Sequence, residues 1–368
     1  MDGSTACIMR TRLKGLPMEP VRLFVLALAA ALPASAAPPA APPEVAPLDG
    51  AFIQFHTGNL DADWTAAFES LTALGMDTLI LQYLRFNDTN FLREANDPTR
   101  RILELADARN RAAGPARRVR VFLGLALLAD WDGGRGRGAE GERRRTAVRA
   151  ACLETAEQIQ QRYGRHDAFA GWYIPVETDN VYDPDDVATL DAVHDLFRDI
   201  AQGCRRLADK PVALSAYFNT ESWCAGPDRT ERAYARLLAG GHIRYLLLQD
   251  GVGERGWDGR VRERIDPFFA AFGRACAGAG TELWAVAECF RLLPKGDGRT
   301  ERRVPVSDVS LLEAQLQAIR ANGVKTAIAF EFYAYLDPAP HGAGDPGQEL
   351  RRALYEGYRR NVVLGGRP

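Results

Sequence analysis

The chain has 368 residues, 46% of them hydrophobic and 26% charged, an ordinary globular composition with ample apolar material for a large core. A formal net charge of −2 offers no electrostatic case for nucleic acid as a partner. The length would allow two domains, but α/β barrels also run this long as one.

The N-terminus reads as a targeting segment. Arg10, Arg12, Lys14 and Arg22 precede the apolar run Leu23 to Leu32, and Ala34-Ser35-Ala36 follows as an A-x-A cleavage site. The apolar run is too short to span a bilayer. No Cys follows it, so no lipid anchor is indicated. The expectation is a signal peptide over 1–36, a Pro/Ala linker over 37–49 and a barrel domain over 50–368. The mature chain would be periplasmic or secreted, with no stable membrane anchor after cleavage.

From residue 51 onward, strand-like and helix-like segments alternate. Ala51 to Phe55 is the first strand. The helix Asp61 to Leu74 follows, with Trp64, Phe68, Leu71 and Leu74 at helical spacing. Thr78 to Tyr83 is the second strand, and a helix from about Pro98 to Ala113 starts on a proline, which the first helical turn favours. Val119 to Leu125 is the third strand. It leads to a Gly/Arg loop, Asp130 to Arg145, and a helix ending near Tyr163. The fourth strand, Phe169 to Val176, ends abruptly in Glu177 and Asp179.

A helix over about Asp185 to Leu207 comes next, then strand Val212 to Phe218, helix Asp228 to Leu238, strand Ile243 to Gln249 and helix Val261 to Ala277. Glu282 to Ala287 is the seventh strand. A long loop, Cys289 to Pro305, precedes the helix Val309 to Ala321. Thr326 to Phe332 is the eighth strand, and a helix from about Pro346 to Arg360 ends the pattern. Several strands are continuously apolar, as parallel strands buried on both faces should be. Eight right-handed βα units predict an α/β protein with a single closed (β/α)8 barrel, the TIM-barrel architecture, with a doubly wound open sheet as the alternative.

Cys152, Cys204, Cys224, Cys276 and Cys289 remain after cleavage, an odd number whose spacing fits no zinc pattern. Cys152 and Cys204 fall in consecutive predicted helices and are the favoured disulfide pair. Gly251-Val-Gly-Glu-Arg-Gly256 formally matches a dinucleotide fingerprint. Trp257, Asp258 and Gly259 delay the helix that such a site needs, so the stretch reads as a flexible loop over the cleft.

In a barrel of this kind the chemistry sits at the C-terminal ends of the strands. Those positions hold Gln54 and His56, Gln82 and Tyr83, Asp130 and Trp131, Glu177 and Asp179, Tyr217 and Asn219, Gln249 and Asp250, Glu288 and Phe290, and Glu331 and Tyr333. The ring is acidic, amide-rich and aromatic, which suits a carbohydrate. Glu177 and Glu288 are the candidate catalytic pair, since glycoside hydrolysis needs one protonated and one ionised carboxyl. Gln54, His56, Gln82, Tyr83, Trp131, Asp179, Tyr217, Asn219, Asp250, Glu331 and Tyr333 are the candidate sugar contacts. Tyr83, Trp131, Tyr217 and Tyr333 would be the platforms. No metal-hydrolase or esterase motif occurs, and no metal or cofactor is expected. The arginines of the 133–145 loop could meet an anionic polysaccharide. A non-catalytic carbohydrate-binding barrel is one alternative. A metal-dependent lyase or isomerase using Glu177, Asp250, Glu288, Glu331 and His56 is another.

Six short motifs fall on separate strands: Phe52-Ile-Gln54, Leu79 to Tyr83, Trp172 to Glu177, Ala216 to Asn219, Gln249 to Gly253 and Trp284 to Phe290. Together they resemble a bacterial family of exported TIM-barrel proteins of unknown function, regarded as glycoside-hydrolase-like. The resemblance covers roughly residues 50–335. The arrangement is also similar to the retaining clan of barrel glycosidases, with the acid/base at the end of strand four and the nucleophile at the end of strand seven. That resemblance implies Glu177 as acid/base and Glu288 as nucleophile. Many clan members have Asn immediately before the acid/base. Val176 stands there here, with Asn180 and Asn219 as the amides nearest to taking its place.

Overall fold

The computed structural model describes residues 45–365 except 93–94, 114–117, 132–133, 135, 256–258, 295–300, 306–308 and 343. The expected signal peptide, and the linker as far as residue 44, lie outside the described residues. The last part of the expected linker, from residue 45, leads directly into the barrel: Leu48 is buried and its N–H donates to Tyr358 Oη at 2.6 Å.

Eight parallel strands close a barrel: β1 (Gly50–Ile53), β2 (Thr78–Leu81), β3 (Arg120–Gly124), β4 (Phe169–Thr178), β5 (Val212–Ala216), β6 (Tyr245–Gln249), β7 (Glu282–Glu288) and β8 (Thr326–Phe330). The pairing of Gly50 and Ala51 with Ile328 and Ala329 joins β1 to β8. The helices are α1 (Trp64–Ala73), α2 (Pro98–Ala113), α3 (Gly138–Tyr163), α4 (Val187–Leu207), α5 (Pro227–Leu237), α6 (Val261–Ala279), α7 (Val309–Ala321) and α8 (Gln348–Tyr358). The fold is the single (β/α)8 barrel that the alternation predicts. Local chemistry sets several helix starts. Asp63 accepts the N–H groups of Thr65 and Ala66, both at 3.1 Å, and Asp186 accepts that of Thr189 at 3.3 Å.

The strands carry two apolar rows because both faces are buried. One row, including Leu79, Leu81, Val121, Leu123, Trp172 and Ile174, packs on the helices. The other fills the barrel: Phe52, Ile80, Phe122, Tyr173, Ala213, Leu247, Trp284, Val286 and Ile328 form a separate cluster. Trp284 stacks on Tyr245 at 4.2 Å and meets Phe122 edge-on at 5.6 Å. With a side-chain period of two, extending each inward row one step toward the strand end selects what reaches the mouth. It selects Gln54, Gln82, Gly124, Ser215, Gln249, Glu288 and, on β8, Phe330, and on the longer β4 the row runs Tyr173, Pro175, Glu177. At Gly124 a Cβ would lie 2.2 Å from the Gln82 carbonyl oxygen. The close approach of β2 and β3 therefore leaves β3 without a side chain in the ring.

Four sequence expectations change. The second half of the expected Asp130–Arg145 loop belongs to α3, which starts at Gly138. Its described arginines already have partners: Arg143 and Arg144 hold Glu140, Arg137 holds Asp186 at 2.7 Å, and Arg145 donates to the carbonyls of Gly134 and Gly136. The Cys289–Pro305 loop is an antiparallel hairpin, Phe290–Pro294 with Glu301–Pro305. Strand eight stops at Phe330, because Glu331 turns to cap a short helix, Phe332–Tyr335. Cys152 and Cys204, expected as a pair, are both free. Each thiol is buried on its own helix, and Cys152 Sγ donates to the Ala126 carbonyl at 3.4 Å. Among the described residues, no helix is long and apolar enough to cross a membrane.

Candidate active site

Glu177 and Glu288 end the inward rows of β4 and β7. Two strands, β5 and β6, stand between them, and Gln249 on β6 spans the gap. Its Nε2 donates to Glu177 Oε1 at 2.9 Å, while its backbone pairs with Val286, two residues before Glu288. Ser215 on β5 lies under the same amide at 3.5 Å. The Trp131 indole N–H donates to the Glu177 carbonyl at 2.9 Å and fixes the end of β4 from outside. Glu177 is half-buried and Glu288 is 4% exposed.

Glu288 is enclosed by the stretch that mimics a dinucleotide fingerprint. Val252–Arg255 is a short helix, not the expected flexible loop, and the Glu254 N–H donates to Glu288 Oε2 at 2.8 Å. A backbone N–H aimed at a carboxylate oxygen is a strong, charge-assisted contact. The helix comes this close only because residue 253 is glycine. A Cβ there would sit 2.3 Å from the Phe290 carbonyl oxygen and 3.1 Å from Glu288 Oε2.

Asp250 is behind this arrangement. It follows the inward-facing Gln249 and is fully buried. Its carboxyl meets the N–H of Val252 at 3.1 Å, the Glu288 N–H at 3.4 Å and Gln315 Nε2 at 2.8 Å. Gln315 Nε2 also reaches the Glu288 carbonyl at 3.0 Å. Burial pushes the Asp250 carboxyl up to about 7 despite these bonds. Asp250 therefore braces the backbone on both sides of Glu288 and is closed off from a sugar hydroxyl.

A second cluster occupies the β8–β1–β2 side. Gln54 Nε2 donates to Tyr83 Oη at 2.5 Å. Glu331 is 3% exposed and accepts backbone N–H groups of Ala334, Gln54 and Tyr333. Burial still raises its carboxyl to about 7, with Asp337 adding to the rise. The Tyr83 phenol is raised by burial, opposed by the Gln54 bond, and raised further by Glu331. Tyr333 stacks flat on His341 at 3.7 Å, and His341 Nε2 lies 3.2 Å from Asp337. His56 takes the Gly58 N–H at 3.1 Å, and its imidazole is lowered by partial desolvation of the ring and by His341.

The remaining candidates divide. Trp131 is buried, tilted against Phe197 and committed to the Glu177 carbonyl, so it offers no open ring face. Asp179 is fully buried, and its Oδ1 takes the Val181 N–H at 3.2 Å. Tyr217 is half-buried, with its N–H on the Thr178 carbonyl at 2.8 Å. Of the two amides near Val176, Asn180 is consumed by the loop after β5: it donates to the Asn219 and Ala225 carbonyls, both at 2.8 Å, and accepts the Asn219 N–H at 2.7 Å. Asn219 Oδ1 takes a hydrogen bond from Arg255, while its Nδ2 is buried without a partner. Gln82 Oε1, at the mouth just after β2, is also buried without a partner. Such atoms call for an explanation, and a bound ligand is one.

Ser215, Arg255 and Glu254 are the site residues that the strand-end reading missed. Ser215 has inward parity, which a strand buried on both faces does not reveal in the sequence. The other two lie on a helix that the flexible-loop reading hid. Among the described residues, no group of three or more His, Cys, Asp or Glu is arranged to hold a metal ion.

A family model described as "Domain of unknown function (DUF4434)" matches residues 48–342. The fold is similar to that of a candidate alpha-L-fucosidase from Bacteroides thetaiotaomicron, at 17% identity and a TM-score of 0.65, over 87% of this chain and 97% of that one. It is also similar to an endo-beta-1,4-mannanase from Thermotoga petrophila, at 9% identity and a TM-score of 0.53, over 88% of this chain and 78% of that one. No curated protein matches the sequence.

Proposed function

The chain belongs to the DUF4434 family, and from its site we propose that it is an exported glycoside hydrolase. Glu177 is the general acid/base and Glu288 the nucleophile. One observation carries the proposal: Gln249 holds the Glu177 carboxyl at 2.9 Å from the strand that pairs with the strand of Glu288, so both carboxyls belong to one mouth. The barrel fold shared with the fucosidase and the mannanase is consistent with this reading.

In the proposed reaction Glu177 gives its proton to the glycosidic oxygen as that bond breaks. Glu288 attacks the anomeric carbon and forms a glycosyl ester, releasing the leaving alcohol. Glu177, now ionised, takes a proton from water, whose oxygen displaces Glu288 from the anomeric carbon. Gln249 fixes the rotation of the acid. The Glu254 N–H favours the anionic Glu288 that the first step consumes and the second restores. No metal or cofactor enters the scheme.

The test is a hydrolysis screen over 4-nitrophenyl glycosides and neutral oligosaccharides, with the product anomer followed by NMR. Cleavage with retention that is lost in both Glu177→Gln and Glu288→Gln supports the assignment. Unchanged turnover in either variant refutes that residue's role. A second reading, a carbohydrate-binding barrel without turnover, is favoured by Val176 and by the engagement of Asn180. Glycan binding with no cleavage, unchanged in both Gln variants, would select it.

A further inference from the structure

Trp223 is 59% exposed, while Trp64, Trp131, Trp172 and Trp284 are each at most 4% exposed. A large flat aromatic face left in water is open to stack on the apolar face of a ligand. The residue lies between β5 and α5, and loops that follow strands stand on the C-terminal, mouth side of the barrel. It sits in a tight turn, with the Cys224 N–H on the Glu221 carbonyl at 3.0 Å.

The base of this loop is fixed to the strand that carries Glu177. Asn180, three residues after Glu177, holds the loop at both ends: its side chain bonds the backbone of Asn219 and the carbonyl of Ala225, and its own carbonyl takes the Ala225 N–H at 2.8 Å. The exposed indole thus rides on a short span whose two ends are anchored beside the proposed acid. Asn219, at the foot of the loop, adds a buried Nδ2 with no partner, a further sign that this side of the mouth is built to meet a ligand.

We propose that Trp223 is an aromatic platform for a pyranose ring outside the catalytic pocket, and that the substrate is a chain of sugars long enough to bridge from Glu177 to the rim. This rests on the carbohydrate reading above and narrows it to a neutral oligo- or polysaccharide. The flat indole offers C–H/π contact and no charge. It also replaces Trp131, whose ring is buried, as the tryptophan that meets sugar.

Affinity electrophoresis of the full chain through gels containing barley β-glucan, arabinoxylan, galactomannan or pullulan tests this. Wild type and Glu288→Gln should both be retarded by at least one polymer. Trp223→Ala should bind that polymer about five- to tenfold more weakly, and Trp223→Phe should fall between. Turnover of a 4-nitrophenyl monosaccharide should be unchanged in Trp223→Ala. Equal retardation of wild type and Trp223→Ala would overturn the platform and leave the hydrolase standing. No retardation of wild type in any gel, with aryl glycosides still cleaved, would do the same. A loss of aryl-glycoside turnover in Trp223→Ala would place the residue in the pocket instead, against the proposal.

Discussion

The two sides of the barrel mouth carry similar residues to different ends. Across β4 to β7, inward side chains continue the rows that fill the barrel, so Glu177, Gln249 and Glu288 arrive at the mouth on rigid strands. Across β8, β1 and β2 there is also a glutamate at a strand end, but β8 stops one residue sooner. Glu331 then turns to cap the helix Phe332–Tyr335 and to hold the Gln54 N–H. One side aims its carboxyls at the mouth, and the other spends its carboxyl on the backbone. A carboxylate at a strand end therefore becomes a site residue only where parity and the following turn agree.

The contrast is broken most directly by amidation on each side. Glu288→Gln should lower kcat by at least about a thousandfold, and Glu177→Gln by about a hundred- to ten-thousandfold, with the smaller losses on aryl substrates that leave without a proton. Glu331→Gln should keep kcat within about tenfold on the same substrate. Comparable losses from Glu331→Gln and Glu288→Gln would end the distinction.

Stability against pH gives the next largest difference. Glu331 titrates near 7 in the folded chain and near its ordinary value when unfolded, so folding favours its neutral form. That stabilisation is complete below the unfolded value and is lost as pH rises through about 7, worth about 3 kcal/mol over the window. Asp250 has the same sign over a similar window. Wild type should therefore melt at lower temperature at pH 8 than at pH 5, with a shallower slope in Glu331→Gln. An unchanged slope would show that Glu331 does not titrate there.

How much of this was legible in the sequence follows the same division. The eight strands could be read because both of their faces are apolar. For the same reason parity could not: Leu246-Leu247-Leu248-Gln249 shows no alternation, so nothing marked Gln249 as inward and Asp250 as outward. Glu177 and Glu288 emerged because acid abruptly ends an apolar run. Trp131 looked like a platform because a loop tryptophan carries no sign of burial. Trp223 passed unnoticed because the exposure of a turn depends on Asn180, forty-odd residues earlier in the chain. The helix over Glu288 was hidden by glycines that read as flexibility, whereas Gly253 is there for close approach.

Gln249→Leu tests the link across the active side. It keeps the side-chain volume and removes the donor to Glu177 Oε1. We expect kcat to fall about tenfold with KM little changed, and the alkaline limb of the pH–rate profile, which reports the acid that must carry a proton, to move. A purely structural role for Gln249 would lower the melting temperature and leave the profile in place.

The smallest expected effect concerns the anchor behind that acid. Trp131→Phe retains an aromatic ring against Phe197 and deletes the N–H on the Glu177 carbonyl. Losing one partner of a buried hydrogen bond should cost about 1 kcal/mol, read as a lower urea midpoint at constant m. If the bond only ties a loop to the barrel, turnover will match wild type. If it sets where β4 ends, kcat will fall a fewfold while binding of neutral polysaccharide is unchanged, since Trp131 presents no face to sugar. A selective loss of polysaccharide binding in Trp131→Phe, with Trp223→Ala silent, would reverse the roles of the two tryptophans.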